Sequence, residues 1–391
     1  MSDKPRIVVV SPYRSEYGPR QVLEHVCAGV VEAGFEPVLA LPTDAVVSPA
    51  MEATAAAVEF VDGLGTFPRT FNLVRLAVFF RDHQRAASTI ADIARRHRAK
   101  GVYSISEAIF AASLGARQAG IPNVVHAIGM SIRSPRWGAW VYIRLLDRLS
   151  DQLVACSSAV AEMFADDGVE DGKCTVVHNG VDATAVRATA DLPTPTAYEG
   201  PRIGMVAAYD PRKGHELFLA SAQEVVRRHP DARFYIIGGV LEGHPESLAF
   251  EQRIRETIAE LGLGSHVELV GYVPAPDIYA WIRAMDVIAV PSRTEAFAHA
   301  LLEAMICGRA VVATRLEGNL DAFTDGHSGI YVPREPARMA EAISRLIEDP
   351  DGRRAMGEAA AERAATYFDL SVTVPANAWL VRRVFGDPAA V

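Results

Sequence analysis

Glu295 and Glu303, eight positions apart, carry the clearest chemistry in the chain. Glu295 follows the apolar run Asp286 to Val290, which ends at Pro291. A short β-branched run bounded by proline predicts a buried strand. Residues Ala298 to Cys307 favour a helix, Gly308 supplies its stop, and Ala310 to Ala313 predict a second buried strand. Glu295 then sits at a strand's carboxyl end, and Glu303 falls about one and a half turns into the helix at ~3.6 residues per turn. The N–H groups at the helix start, Phe297, Ala298, His299 and Ala300, point into the same crevice. A helix N-terminus at a strand's carboxyl end suits phosphate, and carboxylates beside it suit the hydroxyls of a ribose or a sugar.

These residues need a scaffold, and the chain predicts two. At 391 residues it exceeds the size at which one core keeps growing, so two domains are expected. In the first half, apolar runs at Ile7 to Val10, Pro37 to Ala40, Val58 to Val61, Gly101 to Ile105, Asn123 to Ala127, Gln152 to Ala155 and Thr175 to His178 alternate with amphipathic stretches. The second half repeats the pattern at Arg202 to Ala208, Arg233 to Ile237, His266 to Val270, Asp286 to Val290, Ala310 to Ala313 and Ile330 to Val332. Such alternation predicts parallel, doubly wound sheets with functional residues at the strands' carboxyl ends. Ala183 to Pro201, with Pro193, Pro195 and Gly200, breaks the periodicity and reads as a hinge.

The ordered positions Pro291-Ser292, Glu295, Phe297, Leu301 to Met305, Gly308 and Val311 to Thr314 resemble the E-x7-E signature of retaining nucleotide-sugar glycosyltransferases, family four. The resemblance implies an α/β fold of GT-B type: two Rossmann-like doubly wound parallel-sheet domains facing a central cleft. It divides the chain into an acceptor-binding domain at 1–185, a linker at 186–200, a donor-binding domain at 201–368, and a helix at 369–391 that crosses back, with Trp379 and Phe385 packing on the first domain. His178-Asn-Gly-Val-Asp182 is similar to the segment that closes the family's first domain.

The resemblance also assigns roles. Lys213-Gly214 matches the family's diphosphate grip, but Ala208 stands where an arginine is usual, so a second cation requires Arg212 to turn inward. Gly18 lies in the loop after the first strand, where relatives carry a Gly-Gly pair; here Pro19 follows, which lacks an N–H. His126, at a strand end, matches a histidine that contacts the donor sugar, and the backbone near Val273 frames the base. Ala298 replaces a glycine of the phosphate loop, and Glu317 to Asp321 depart from the usual G-G-x-x-E. Glu303 would bind the ribose and Glu295 the sugar. The implied reaction moves a sugar from a UDP- or GDP-sugar to a hydroxyl acceptor, the leaving phosphate being stabilised by Lys213 and the helix N-terminus. No cofactor or metal is implied, since no Asp-x-Asp pair stands where an ion would be needed. A nucleotide-sugar 2-epimerase and a non-catalytic sugar-binding remnant remain alternatives. A Rossmann oxidoreductase would need G-x-G-x-x-G, which Ser11 to Arg20 lacks.

The formal charge of −9 argues against nucleic acid as a partner. Cys27, Cys156, Cys174 and Cys307 lack metal-ligand spacing and read as buried thiols of a cytoplasmic protein. The amino terminus leads straight into Ile7 to Val10 rather than into a signal-peptide h-region, and no apolar run reaches the ~18 to 20 residues of a membrane span. Ile132 to Arg148 mixes aromatic and basic residues at helical spacing; core-facing aromatics with solvated arginines are expected, and peripheral membrane contact stays open. The sequence leaves the acceptor and the oligomeric state open.

Overall fold

The computed structural model describes residues 4–13, 19–64, 73–128, 136–241 and 245–388. The chain forms two units, Met1–Asn179 with Ser371–Val391, and Gly180–Leu370.

The first unit is built on β1 (Arg6–Val10), β2 (Glu36–Pro42), β3 (Ala57–Val61), β4 (Gly101–Ile105), β5 (Asn123–Ala127), β6 (Gln152–Ala155) and β7 (Cys174–Val176). Between them run α1 (Pro19–Glu32), α2 (Pro49–Thr54), α3 (Leu73–Arg96), α4 (Phe110–Ala119), α5 (Arg136–Leu149) and α6 (Ser158–Asp166). The strands pair in parallel in the order β3-β2-β1-β4-β5-β6-β7. A parallel sheet is covered on both faces, so its strands are apolar throughout rather than alternating. Ile7, Val8, Val9 and Val10 are all fully buried. Val8, Val38 and Val102 join Ile90 and Ala112 on one face, while Val9, Leu39, Tyr103 and Val124 join Leu23 and Val26 on the other.

The second unit holds α7 (Ala183–Ala188), β8 (Arg202–Val206), α8 (His215–Arg228), β9 (Arg233–Ile237), α9 (Pro245–Glu260), β10 (Val267–Gly271), α10 (Asp277–Ala284) and β11 (Val287–Val290). It continues with α11 (His299–Ile306), β12 (Ala310–Thr314), β13 (Ile330–Val332), α12 (Pro336–Glu348) and α13 (Pro350–Tyr367). Its parallel sheet has the order β10-β9-β8-β11-β12-β13. The direction of winding reverses between β8 and β11, and in such sheets the crevice beyond that reversal is where ligands bind. The last helix, α14 (Leu370–Phe385), packs Ala378, Leu380 and Val381 into the α1 face of the first unit.

Several expectations are corrected. The expected linker, 186–200, belongs to the second unit: Arg283 donates to Val186 O at 3.2 Å and to Thr189 Oγ1 at 2.8 Å, and Thr196 meets the Tyr235 hydroxyl. Those partly buried hydrogen bonds outweigh the local turn chemistry, and the crossing falls at 179/180 instead. The strand expected to reach His178 ends at Val176, where pairing with β6 stops. Phe385 packs on the first unit, but Trp379 is half exposed with Arg383 over its ring. On α5 the sorting is mixed: Tyr142, Ile143 and Leu146 are buried, whereas Trp140, Val141 and Leu145 face outward. Cys27, Cys156 and Cys307 are buried, Cys174 only partly so, and none is in a disulfide. No helix of the described residues is long and apolar enough to cross a membrane.

Candidate functional site

The loops after β8 and β11 meet across the reversal point of the second sheet. After β8 the chain makes a 3-10 turn, Pro211–Lys213, capped by the Asp210 side chain on the Arg212 N–H at 2.8 Å. Gly214 ends the turn with φ +82, a conformation that costs glycine little. It also touches the other loop, for a Cβ there would lie 1.9 Å from Pro291 O. Arg293 N donates to Arg212 O at 2.7 Å, and Arg293 pairs with Glu216 at the start of α8. The two loops are therefore one clasped unit.

Lys213 and Glu295 meet inside the clasp. Lys213 Nζ lies 2.8 Å from Glu295 Oε1, and Ser292 Oγ donates to the same oxygen at 2.8 Å. The Glu295 side chain is only 12 % exposed and that of Lys213 is 35 % exposed, so the cation stands at the mouth and the carboxylate behind it. Charge-assisted bonds of this kind hold a side chain in one geometry.

Arg212 does not turn inward. Its guanidinium grips Asp210 through Nε at 2.9 Å and through Nη2. Burial opposes ionisation of Asp210, but the Arg212 hydrogen bonds outweigh it and hold the carboxyl below its usual range. The second cation expected from Arg212 is thus spent on its own turn, because a carboxylate two residues away is the nearer partner.

Beyond Glu295 the chain enters α11. Phe297 is buried edge-on against Phe368 at 5.3 Å. Ala298 caps the helix with φ −77, which alanine adopts without strain. Its N–H is already engaged, donating to Asn319 Oδ1 at 3.1 Å. His299 and Ala300 form the first turn, and Glu303, buried on α11, bears on Tyr279, whose phenol is raised by burial first and by the Glu303 charge second. Val273 lies past β10 at the sheet's edge, two strands from β8.

The segment Glu317 to Asp321, a poor match by sequence, proves structural to this site. A Cβ at Gly318 would lie 2.2 Å from Glu295 O and 2.5 Å from Ala296 O, so only glycine lets the segment pass beneath the loop. Asn319, fully buried, holds Ala298 from the same side, and its carbonyl takes the Tyr331 hydroxyl. Arg363 of α13 fixes Asp321 O at 2.8 Å and Ala322 O at 2.7 Å. The signal available in sequence was Gly318 itself, in register with the family's second glycine.

In the first unit His126 occupies β5 and is buried; its Nδ1 meets the Tyr103 hydroxyl at 3.2 Å. Glu107 follows β4, and its Oε2 accepts from Ile128 N at 3.1 Å. Gly18 lies outside the described residues. Among the described residues no three His, Cys, Asp or Glu side chains converge as metal ligands would.

Burial pushes His126 and, with partial opposition from Asp210, His215 down to about 4. Below the ordinary histidine value of ~6.5 the unfolded chain takes up protons that the folded chain refuses, so stability falls as pH drops. Between pH 7 and pH 5 each histidine should cost about 2 kcal/mol. Urea denaturation at the two pH values should show the loss, and His215→Gln should remove roughly half of it.

Fold and site define a class: two Rossmann-like α/β units, the second with a lysine, a carboxylate and a helix N-terminus gathered at the reversal of its parallel sheet. Comparison with known proteins gives the family. The family described as Glycosyl transferases group 1 matches residues 193–363, and Glycosyltransferase Family 4 matches residues 18–185. The chain belongs to the family-four glycosyltransferases of GT-B fold. It is 31 % identical over 253 residues to D-inositol 3-phosphate glycosyltransferase 2 of Catenulispora acidiphila, a match covering 62 % of this chain and 58 % of that protein. It is 34 % identical over 172 residues to the D-inositol 3-phosphate glycosyltransferase of Frankia alni, covering 43 % and 42 %. The chain thus spans about half the length of the curated relatives it matches. In fold it is similar to Anabaena Alr3699/HepE, solved with UDP-glucose, with a TM-score of 0.77 at 20 % identity over 97 % of this chain and 99 % of that one. Sucrose-phosphate synthase of Thermosynechococcus elongatus gives 0.79 at 18 % identity over 99 % and 100 %.

Proposed function

We propose that the protein transfers a sugar from a nucleoside-diphosphate sugar to an acceptor hydroxyl, with retention at the anomeric carbon and without a metal. The observation that carries this reading is the meeting of Lys213 and Glu295 at 2.8 Å where the second sheet reverses, immediately before the N-terminus of α11. As the anomeric C–O bond breaks, negative charge grows on the β-phosphate. Lys213 and the first turn of α11 offset that charge, a role for which preorganised cations and N–H dipoles are effective. Glu303 takes the ribose hydroxyls and Glu295 a sugar hydroxyl, while His126 accepts a hydrogen bond from a substrate hydroxyl.

The acceptor oxygen bonds to the anomeric carbon on the face the phosphate leaves, and its proton passes to the departing phosphate oxygen. UDP-glucose, which a solved structural neighbour holds, is the first donor to test. A phosphorylated cyclitol is the first acceptor, after the names of the relatives.

Incubation with labelled UDP- and GDP-sugars should release nucleoside diphosphate faster when the acceptor is present. The product's anomeric configuration should match the donor's, and EDTA should leave turnover unchanged. A free epimerised sugar would identify an epimerase instead, and binding without turnover a sugar-binding remnant.

A further inference from the structure

A polar chain crosses the apolar face of the first sheet that α1 and α14 cover. His126 Nδ1 lies 3.2 Å from the Tyr103 hydroxyl, and that hydroxyl donates to Asn377 Oδ1 of α14 at 2.9 Å. All three residues are buried, among Ile105, Val124, Leu380 and Val381. Asn377 reaches this depth because α1 carries Gly29 opposite it: a Cβ there would lie 2.8 Å from the Asn377 Cβ. A tyrosine hydroxyl has one proton to give. Given to Asn377, it leaves the Tyr103 oxygen able only to accept, so the imidazole proton must sit on Nδ1. The other ring nitrogen, Nε2, is then a bare lone pair, and among the described residues it is buried with no hydrogen-bond partner. A buried polar atom left unpaired calls for a reason, and reservation for a ligand is one.

We infer that Asn377, acting through Tyr103, is a positioning residue that fixes His126 as the Nδ1–H tautomer, so that Nε2 meets substrate as a hydrogen-bond acceptor. The ligand it fits is a hydroxyl donor, which rests on the sugar-transfer reading above; the tautomer itself does not. Burial keeps the ring neutral at physiological pH, so one of its nitrogens carries a lone pair, and the tautomer decides which. The C-terminal helix thereby contributes to the chemistry of the first unit through the partner it gives Tyr103.

The test reads the tautomer by 15N NMR of histidine-labelled, ligand-free protein. In the parent chain Nε2 of His126 should be unprotonated. Asn377→Leu frees the Tyr103 hydroxyl to donate to Nδ1, so the tautomer should reverse. Asn377→Asp keeps an acceptor and should restore the original form. In turnover, Asn377→Leu should lower kcat about tenfold with UDP affinity unchanged, the effect of one ordinary hydrogen bond, and Asn377→Asp should recover most of it. If Asn377→Leu does not fold, Tyr103→Phe keeps the ring and should abolish the single tautomer. An unprotonated Nε2 in Asn377→Leu, or an undisturbed tautomer in Tyr103→Phe, would overturn the inference. Because the spectrum needs no substrate, a protein without transferase activity would overturn the proposed reaction and leave this result standing.

Discussion

Lys213→Ala is expected to lower sugar transfer by about a thousandfold while the protein stays folded. The lysine stands at the mouth of the clasp, so its loss leaves no cavity in the core. What is lost is the positive charge nearest the proposed leaving phosphate. Arg212 cannot replace it without releasing Asp210, which also caps the turn that carries Lys213. The effect should appear chiefly in kcat, since charge on the β-phosphate grows as the bond breaks. Lys213→Arg should recover part of the rate by restoring charge at a different reach. Comparable turnover in Lys213→Ala would show that the phosphate is stabilised elsewhere.

Gly318→Ala is the second large effect, and it falls on a residue with no chemistry of its own. The added carbon meets two backbone oxygens, those of Glu295 and Ala296, rather than a side chain that could rotate away. The loop must therefore shift, carrying Glu295 off Lys213. Displacing a reacting group by about 1 Å can cost about a hundredfold in rate, and a loss of that size is expected. Overpacking costs about 1–3 kcal/mol, so melting should fall by roughly 5 °C. Steady-state kinetics and calorimetry read the two together. Full turnover in Gly318→Ala would show that the 295–298 loop does not need this support.

How much of this was legible in the sequence follows from where the information lies. Strands such as Gly101–Ile105, Asn123–Ala127 and Arg233–Ile237 could be read directly, because a strand buried on both faces must be apolar along its whole length. The loop from Pro291 to Ala298 was legible for a related reason: its glutamate stands between an obvious strand and an obvious helix. Partner choice was not legible. Asp210 stands two residues from Arg212, yet the sequence does not decide between that pairing and an inward turn, and nothing local says that Lys213 finds Glu295, 82 positions away. Nor does local composition reveal that residues 186–200, rich in turn formers, are tied down by Arg283. Long-range close approach was less legible: Gly29 reads as an ordinary small residue until Asn377 is packed against it, and Gly318, though in register with a family glycine, does not name the Glu295 and Ala296 carbonyls it lies against. The outward Trp140 and Trp379 show the same limit, since helical spacing groups residues by face without saying which face is covered.

The central claim is that the second unit grips a nucleoside diphosphate at the reversal of its sheet. The most direct measurement is a crystal structure of the protein with UDP. The β-phosphate should lie within hydrogen-bonding distance of Lys213 Nζ and the first turn of α11, with the ribose on Glu303. UDP bound elsewhere, or a β-phosphate held without Lys213 while Glu303 faces away from the ribose, would contradict it.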